Sequence, residues 1–220
     1  MKGTTAIMDY LRKVSKSKNT RALDLSCVGL WSFPQELSRL KYLTVLSLTG
    51  NAIAELSPDI ALLTALVDLS LADNNLKQVP VELARLTNLT ELSLIDNELS
   101  SIPPEYGHLR LLKSLHLDNN DLKTPPAEVI MKGTAEVLAY LRRIMTARDS
   151  RALELSFLDL RTFPVEYLGI NTIKDLSLSD NQLETLSPDV GLLTDLRQLW
   201  LQNNRLGTLP PSLRVLTKLT

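Results

Sequence analysis

Leu69-Ser70-Leu71-Ala72-Asp73-Asn74-Asn75-Leu76-Lys77-Gln78-Val79-Pro80-Val81-Glu82-Leu83-Ala84-Arg85-Leu86-Thr87-Asn88-Leu89 reads as one coil of chain that closes on its own leucines. Alternation in Leu69-Ser70-Leu71 turns both leucines to one side of a short strand and leaves Ser70 on the other. Asn74 follows at the turn, Leu76 points back inward, and Pro80 closes the corner with its fixed φ. Leu83, Leu86 and Leu89 then stand three apart, the spacing of a 3₁₀ turn that packs against the same core. No such coil buries its leucines alone, so neighbours are required.

Those neighbours recur at a period of 23 residues, as Leu46-Ser47-Leu48, Leu92-Ser93-Leu94 and Leu115-His116-Leu117. Asn51, Asn97 and Asn120 keep step, and Asn181 and Asn204 stand in the same place after Leu176 and Leu199. Stacked coils form a parallel sheet along one side. Because strands pack more closely than the return arms, the stack is expected to curve with its strands on the concave face. These residues resemble the leucine-rich-repeat family, whose consensus is LxxLxLxxNxLxxLPxxLxxLxxL, and the resemblance covers nearly the whole chain outside two short inserts. It implies an α/β solenoid with a parallel sheet on the concave side. It also implies that each asparagine side chain bonds backbone groups inside the turns and ties coil to coil, so that losing one costs roughly 1–3 kcal/mol.

A longer period lies above the first: residues 1–90 align with 131–220 without a gap, at a constant offset of 130 and with 38 identities. Met1-Lys2-Gly3-Thr4 matches Met131-Lys132-Gly133-Thr134, and Tyr10-Leu11-Arg12 matches Tyr140-Leu141-Arg142. The insert that makes up the extra length carries Val137, Leu138, Leu141, Ile144 and Met145 at helical spacing behind Thr134, an expected N-cap. At the N-terminus Thr4 leads likewise into Ile7, Met8, Leu11 and Val14. The expected organisation is a capping helix over 1–20, a first block of five coils over 21–130, an inserted amphipathic helix over 131–150 and a second block of three coils over 151–220. In the coil after each helix the turn asparagine is replaced by Val28 or Leu158, expected to pack against that helix, with Trp31 also packed beneath the first. The last coil ends at Thr220, the counterpart of Thr90, so the array is expected to continue into further repeats or to pair end to end.

Pro125-Pro126-Ala127-Glu128-Val129, followed by Lys132-Gly133-Thr134 and Tyr140-Leu141-Arg142, resembles the segment that ends the repeat domain of Roco-type intracellular repeat proteins. That resemblance implies an intracellular lineage. It also implies an alternative role, as the recognition arm of a larger regulatory GTPase or kinase whose catalytic domain lies outside these residues. GTP hydrolysis by this chain is not expected, since the sequence has no G-x-x-x-x-G-K-[ST] phosphate loop.

Composition narrows the partner. Lys plus Arg total 24 against 25 Asp plus Glu, which gives no general attraction to nucleic acid or anionic membranes. No apolar run has the length of a membrane span or the form of a signal peptide, so no membrane insertion is expected. The single Cys27 cannot form an internal disulfide, which suits a reducing, cytoplasmic setting, and it is expected to be a small buried apolar residue. Asn88-Leu89-Thr90 fits the glycosylation sequon, a triplet that chance supplies often.

The candidate binding residues are the outward side chains of the strands. The central column reads Asp24, Ser47, Ser70, Ser93, His116, Glu154, Ser177 and Trp200. Flanking columns add Asp68, Asp73, Glu91, Asp96, Asp118, Asp175 and Asp180, and none of these positions is Lys or Arg. An acidic concave face results, suited to a protein partner with a basic surface, although Asp73, Asp96 and Asp180 also serve the turn. Trp200 interrupts a column of serines and acids and is the expected anchor. Lys13, Lys16, Lys18, Arg142, Arg143 and Arg148 gather instead on the helices, as a solvated face favoured by the helix dipole. Ser93, His116 and Asp118 or Asp96 imitate a nucleophile with its base and acid, but a flat wet sheet supplies neither pocket nor oxyanion hole. With His108 and His116 the only histidines, no metal site is expected, and neither catalysis nor a cofactor.

Overall fold

The computed structural model describes residues 2–163 and 172–220, with side chains from residue 8 onward, and divides into two compact units, Met1–Leu122 and Lys123–Thr220. In the first unit, helix α1 (Lys2–Thr20) precedes five short strands: β1 (Ala22–Asp24), β2 (Val45–Ser47), β3 (Asp68–Ser70), β4 (Glu91–Ser93) and β5 (Ser114–His116). They form one parallel sheet in chain order, each strand paired with the next at an offset of 23 residues. Between strands the chain returns through 3₁₀ turns at Gln35–Arg39, Pro58–Leu62, Val81–Arg85 and Pro104–His108. The leucines of strand and return arm meet in one core: Leu69, Leu71, Leu76, Leu83, Leu86 and Leu89 are all fully buried.

The second unit opens with α2 (Ala127–Ile130) and α3 (Thr134–Ser150), followed by a parallel sheet of β6 (Ala152–Glu154), β7 (Asp175–Ser177) and β8 (Gln198–Trp200). Its 3₁₀ turns lie at Pro188–Leu192 and Pro211–Val215, and the return arm of the sixth coil falls outside the described residues. The Lys123–Ile130 segment groups with the helix that follows it. Val137, Leu138, Leu141 and Ile144 form the buried face of α3 as their spacing predicts, joined by Tyr140 and Ala147. The expected N-cap is corrected. Thr134 is the first helical residue, and the cap position belongs to Gly133 at φ +92°, a value that favours glycine.

The asparagines tie neighbouring coils as expected. Asn74 Oδ1 accepts from the Ile53 N–H of the preceding coil (3.1 Å), while its Nδ2 donates to the carbonyls of Leu48 and Leu71, both at 3.1 Å. Asn51, Asn97, Asn120, Asn181 and Asn204 repeat the arrangement. The residue before each asparagine must turn left-handed, and Asp73, Asp96, Asn119, Asp180 and Asn203 all have φ between +53° and +56°. Asp and Asn tolerate that region better than other side chains. Gly50 fills the same place at φ +69°, where an added Cβ would lie 2.7 Å from the Cys27 sulfur. The sequon asparagine is also used locally, since Asn88 Nδ2 donates to the Thr64 carbonyl (2.9 Å).

Three expectations about the first coil are overturned. Cys27 is exposed and left-handed (φ +57°), because it takes the pre-asparagine place of the turn. Trp31 is 79% exposed and does not pack beneath α1. Val28 is 39% exposed, whereas its counterpart Leu158 is fully buried.

Candidate functional site

Strand register brings the predicted columns together within each unit. In the first, Asp24, Ser47, Ser70, Ser93 and His116 stand opposite one another across β1 to β5. One column over, Asp68 stands opposite Glu91, with Val45 beside Asp68 and Ser114 beyond Glu91. Asp24 is tied to its own turn: its Oδ1 accepts from the Ser26 N–H (2.9 Å), and hydrogen bonding by the Ser26 side chain, then by its N–H, holds the Asp24 pKa below the usual carboxylate value. Asp96 accepts from Asn119 Nδ2 (2.7 Å), so this carboxylate bridges two turns. Asp118 is exposed in the column beyond His116. His116 lies 3.8 Å from Glu91.

The serines are more than small soluble fillers. Ser47 Oγ lies 2.8 Å from Ser26 Oγ, and Ser70 Oγ lies 2.7 Å from Thr49 Oγ1, so hydroxyls pair from strand to strand. In the second unit Ser156 bonds both Ser177 (2.7 Å) and Ser179 (2.8 Å). All three are buried there, and Ser177, expected as an exposed contact, is only 8% exposed. Its hydroxyl serves the ladder between coils.

Burial, and then the neighbouring charge of Glu91, raise the Asp68 pKa. A carboxylate raised by folding opposes the fold while ionised, and the penalty fades as pH falls through the folded pKa. Asp68→Asn is therefore expected to stabilise the chain at pH 7 by no more than about 0.5 kcal/mol, because the side chain is largely solvated. At pH 3 the difference should vanish. Urea midpoints of both chains at the two pH values check this.

The second unit presents Glu154, Ser177 and Trp200 in one register and Ala152, Asp175 and Gln198 in the next. Trp200 is 39% exposed, an unusual position for so large an apolar ring. One place before each strand lie Arg151, Lys174 and Arg197, whose backbones are hydrogen-bonded coil to coil (Lys174 N to Arg151 O, 2.7 Å; Arg197 N to Lys174 O, 2.6 Å). This basic row was missed, since only the strand columns and the turn were read for charge. Its signal was in the sequence, at the same spacing of 23 residues. The same row of the first unit reads Arg21, Thr44, Val67, Thr90 and Lys113, so in both units cations stand one place before strands whose outward columns carry the acids. Arg143 of α3 reaches the other end of β6, donating to the Ser156 carbonyl (3.3 Å).

Ser93 and His116 are neighbours in the central column, with Glu91 the carboxylate nearest His116. No three His, Cys, Asp or Glu side chains converge as a metal-binding group among the described residues. No helix among them is long and apolar enough to cross a membrane.

A family model for a leucine-rich repeat region matches residues 7–168, and a second leucine-rich-repeat model matches residues 195–216. No curated protein matches the chain. Among solved structures, a leucine-rich-repeat protein of Leptospira interrogans is 22% identical over 90% of this chain and 82% of its own, with a TM-score of 0.34. An internalin of Listeria monocytogenes is 23% identical, with 90% of this chain and 59% of its own covered and a TM-score of 0.45. A chain of the BIR3–SERK2 complex from Arabidopsis thaliana is 32% identical over 46% of this chain and 52% of its own, with a TM-score of 0.39.

Proposed function

The chain belongs to the leucine-rich-repeat family, and on that premise we propose that it is a non-catalytic scaffold that holds a protein partner on its sheet face. The observation that supports this reading best is the registered column of outward side chains. Backbone pairing sets each of those side chains at a fixed spacing from the next, so a partner meets a preorganised surface and little ordering entropy is lost on binding. On the first unit the contacts are Asp24, Ser47, Asp68, Ser70, Glu91, Ser93, His116 and Asp118, residues with no cation among them but His116 when protonated and bordered by Arg21 and Lys113, which suits a partner with a basic patch. On the second unit Trp200 anchors, with Glu154 and Asp175 beside it. Exposed tryptophan is the residue type most often found at interface hot spots. The single cysteine suits a cytoplasmic setting.

Changing Ser70 and Ser93 together to Arg places two long cations in the middle of the first column. The variant is expected to lose at least 100-fold in affinity for a partner captured by the intact chain, with an unchanged far-UV circular dichroism spectrum. Unimpaired binding by a folded variant would exclude this face.

A further inference from the structure

Because residues 1–90 recur as 131–220, each position of the second sheet has a counterpart 130 residues earlier, at the same place in the same kind of coil. The leucines stay: Leu66, Leu69 and Leu71 return as Leu196, Leu199 and Leu201. The outward residues of that coil change in kind. Val67, Asp68 and Ser70 become Arg197, Gln198 and Trp200, so an apolar, an acidic and a small side chain give way to a cation, an amide and an aromatic ring. One coil earlier Thr44 becomes Lys174. Folding does not require these exchanges, since both versions of the coil form the same strand in the same register.

The exchanges complete a run of three cations, Arg151, Lys174 and Arg197, on successive coils one place before β6, β7 and β8. In the first unit Arg21 and Lys113 are the only cations of that row, with Thr44, Val67 and Thr90 between them. At the strand spacing of about 4.8 Å the run of three spans about 10 Å. Among the described residues none of the three is held in an ion pair. Of the acids within two residues of the row, Asp195 is taken by Lys218 (2.5 Å), which leaves Asp149 and Asp175. Trp200, three residues beyond Arg197, is 39% exposed, and strand alternation turns it outward whatever flanks β8.

We propose that the second sheet binds an acidic, extended segment of a protein partner, whose carboxylates lie across Arg151, Lys174 and Arg197 while an apolar side chain of the segment packs on Trp200. The span of the cations equals about three extended residues at about 3.3 Å each. Opposite charge steers and registers such a segment, and Trp and Arg are the side chains most enriched where interfaces are anchored. A nucleic acid is the poorer occupant, because Asp149, Asp175 and Glu154 would oppose its continuous phosphate charge and the chain as a whole carries a net charge of −1. This assignment rests on the sheet-face reading and gives the second unit a ligand opposite in charge to the one that suits the first.

The test titrates an acetylated, amidated peptide of six glutamates and a terminal leucine into the full chain carrying Trp31→Phe, so that emission reports Trp200 alone. A saturable change is expected, and it should weaken at least tenfold between about 50 and about 500 mM salt. Lys174→Thr with Arg197→Val, which restores the residues of the first unit, should also weaken binding at least tenfold with the circular dichroism unchanged. Lys174→Arg alone should bind as the parent does. No saturable change at millimolar peptide, equal binding of a lysine counterpart, full binding by the folded double variant, or tighter binding of a single-stranded DNA 12-mer would overturn the proposal. Its failure is separable from that of the sheet face. A captured partner released by Trp200→Ala, with no glutamate peptide bound, would overturn the acidic assignment and leave the sheet face standing. A captured partner indifferent to both Trp200→Ala and the Ser70, Ser93 variant would remove both readings.

Discussion

Asn74→Ala is expected to lower the stability of the first unit by about 3 kcal/mol, the upper end of the cost of orphaning buried polar partners. Asn74 is 7% exposed, and its amide group serves two coils at once. Its Oδ1 takes the Ile53 N–H, and its Nδ2 reaches the carbonyls of Leu48, Leu71 and Ala72, all at 3.1 Å. Truncation leaves a donor from one coil and acceptors from two without that partner, in a space too enclosed for easy replacement by water. Asn75→Ala, one residue on and exposed, supplies the comparison and should change stability by less than about 0.5 kcal/mol. Urea unfolding of the two variants separates the outcomes. A loss below about 1 kcal/mol for Asn74→Ala would mean that strand pairing and leucine packing, without the asparagine row, hold the coils together.

Tyr106→Ala is expected to cost more, about 4 kcal/mol, as large-to-small changes of buried aromatic rings do. Tyr106 stands 23 residues after Leu83 and replaces leucine in that row of the core. It is fully buried, and its hydroxyl donates to the Pro80 carbonyl of the preceding coil (3.2 Å). Burial raises its pKa well above the ordinary phenolic value, so ionisation would oppose the fold. Tyr106→Phe keeps the ring and loses only the bond to Pro80, for an expected cost of about 1 kcal/mol. Because each coil rests only on its neighbours, the Ala cavity should loosen the coils on both sides of β4 and β5 before the rest. Native-state hydrogen exchange would then show the fastest amides near Leu92 and Leu115. Uniform loss of protection across the unit would argue for one cooperative block instead.

The repeat was legible because its geometry is written in residue types that have few alternatives. Leu-x-Leu alternation determines which side chains face inward, an asparagine five residues on marks the turn, and proline marks the corner. The spacing of 130 residues likewise located the second helix. What escaped was the environment of side chains whose type does not determine burial. Cys27 matches the buried-residue prior, yet its turn position needs a left-handed residue at the surface. Trp31 is exposed, as its counterpart Arg161 is, and Val28 is half-exposed where its counterpart Leu158 is buried, a difference that no local pattern encodes. Ser177 reads as a solvent-facing small residue until the hydroxyls of Ser156 and Ser179 are placed beside it. The basic row of Arg151, Lys174 and Arg197 was visible at the repeat spacing, one place before the columns read for charge. Function was less legible than fold for the same reason, since the contacts of a scaffold occupy positions at which folding tolerates many residues.

Hydroxyl-radical footprinting of the chain, alone and with a partner captured by it, tests the sheet-face assignment most directly. The rings of His116 and Trp200 and the exposed return-arm residues Leu62, Val81 and Leu111 report on opposite sides of the coils. The account predicts that the partner protects His116 and Trp200 at least fivefold and leaves Leu62, Val81 and Leu111 as reactive as before. Protection confined to those return-arm residues, with His116 and Trp200 still fully reactive, would contradict it.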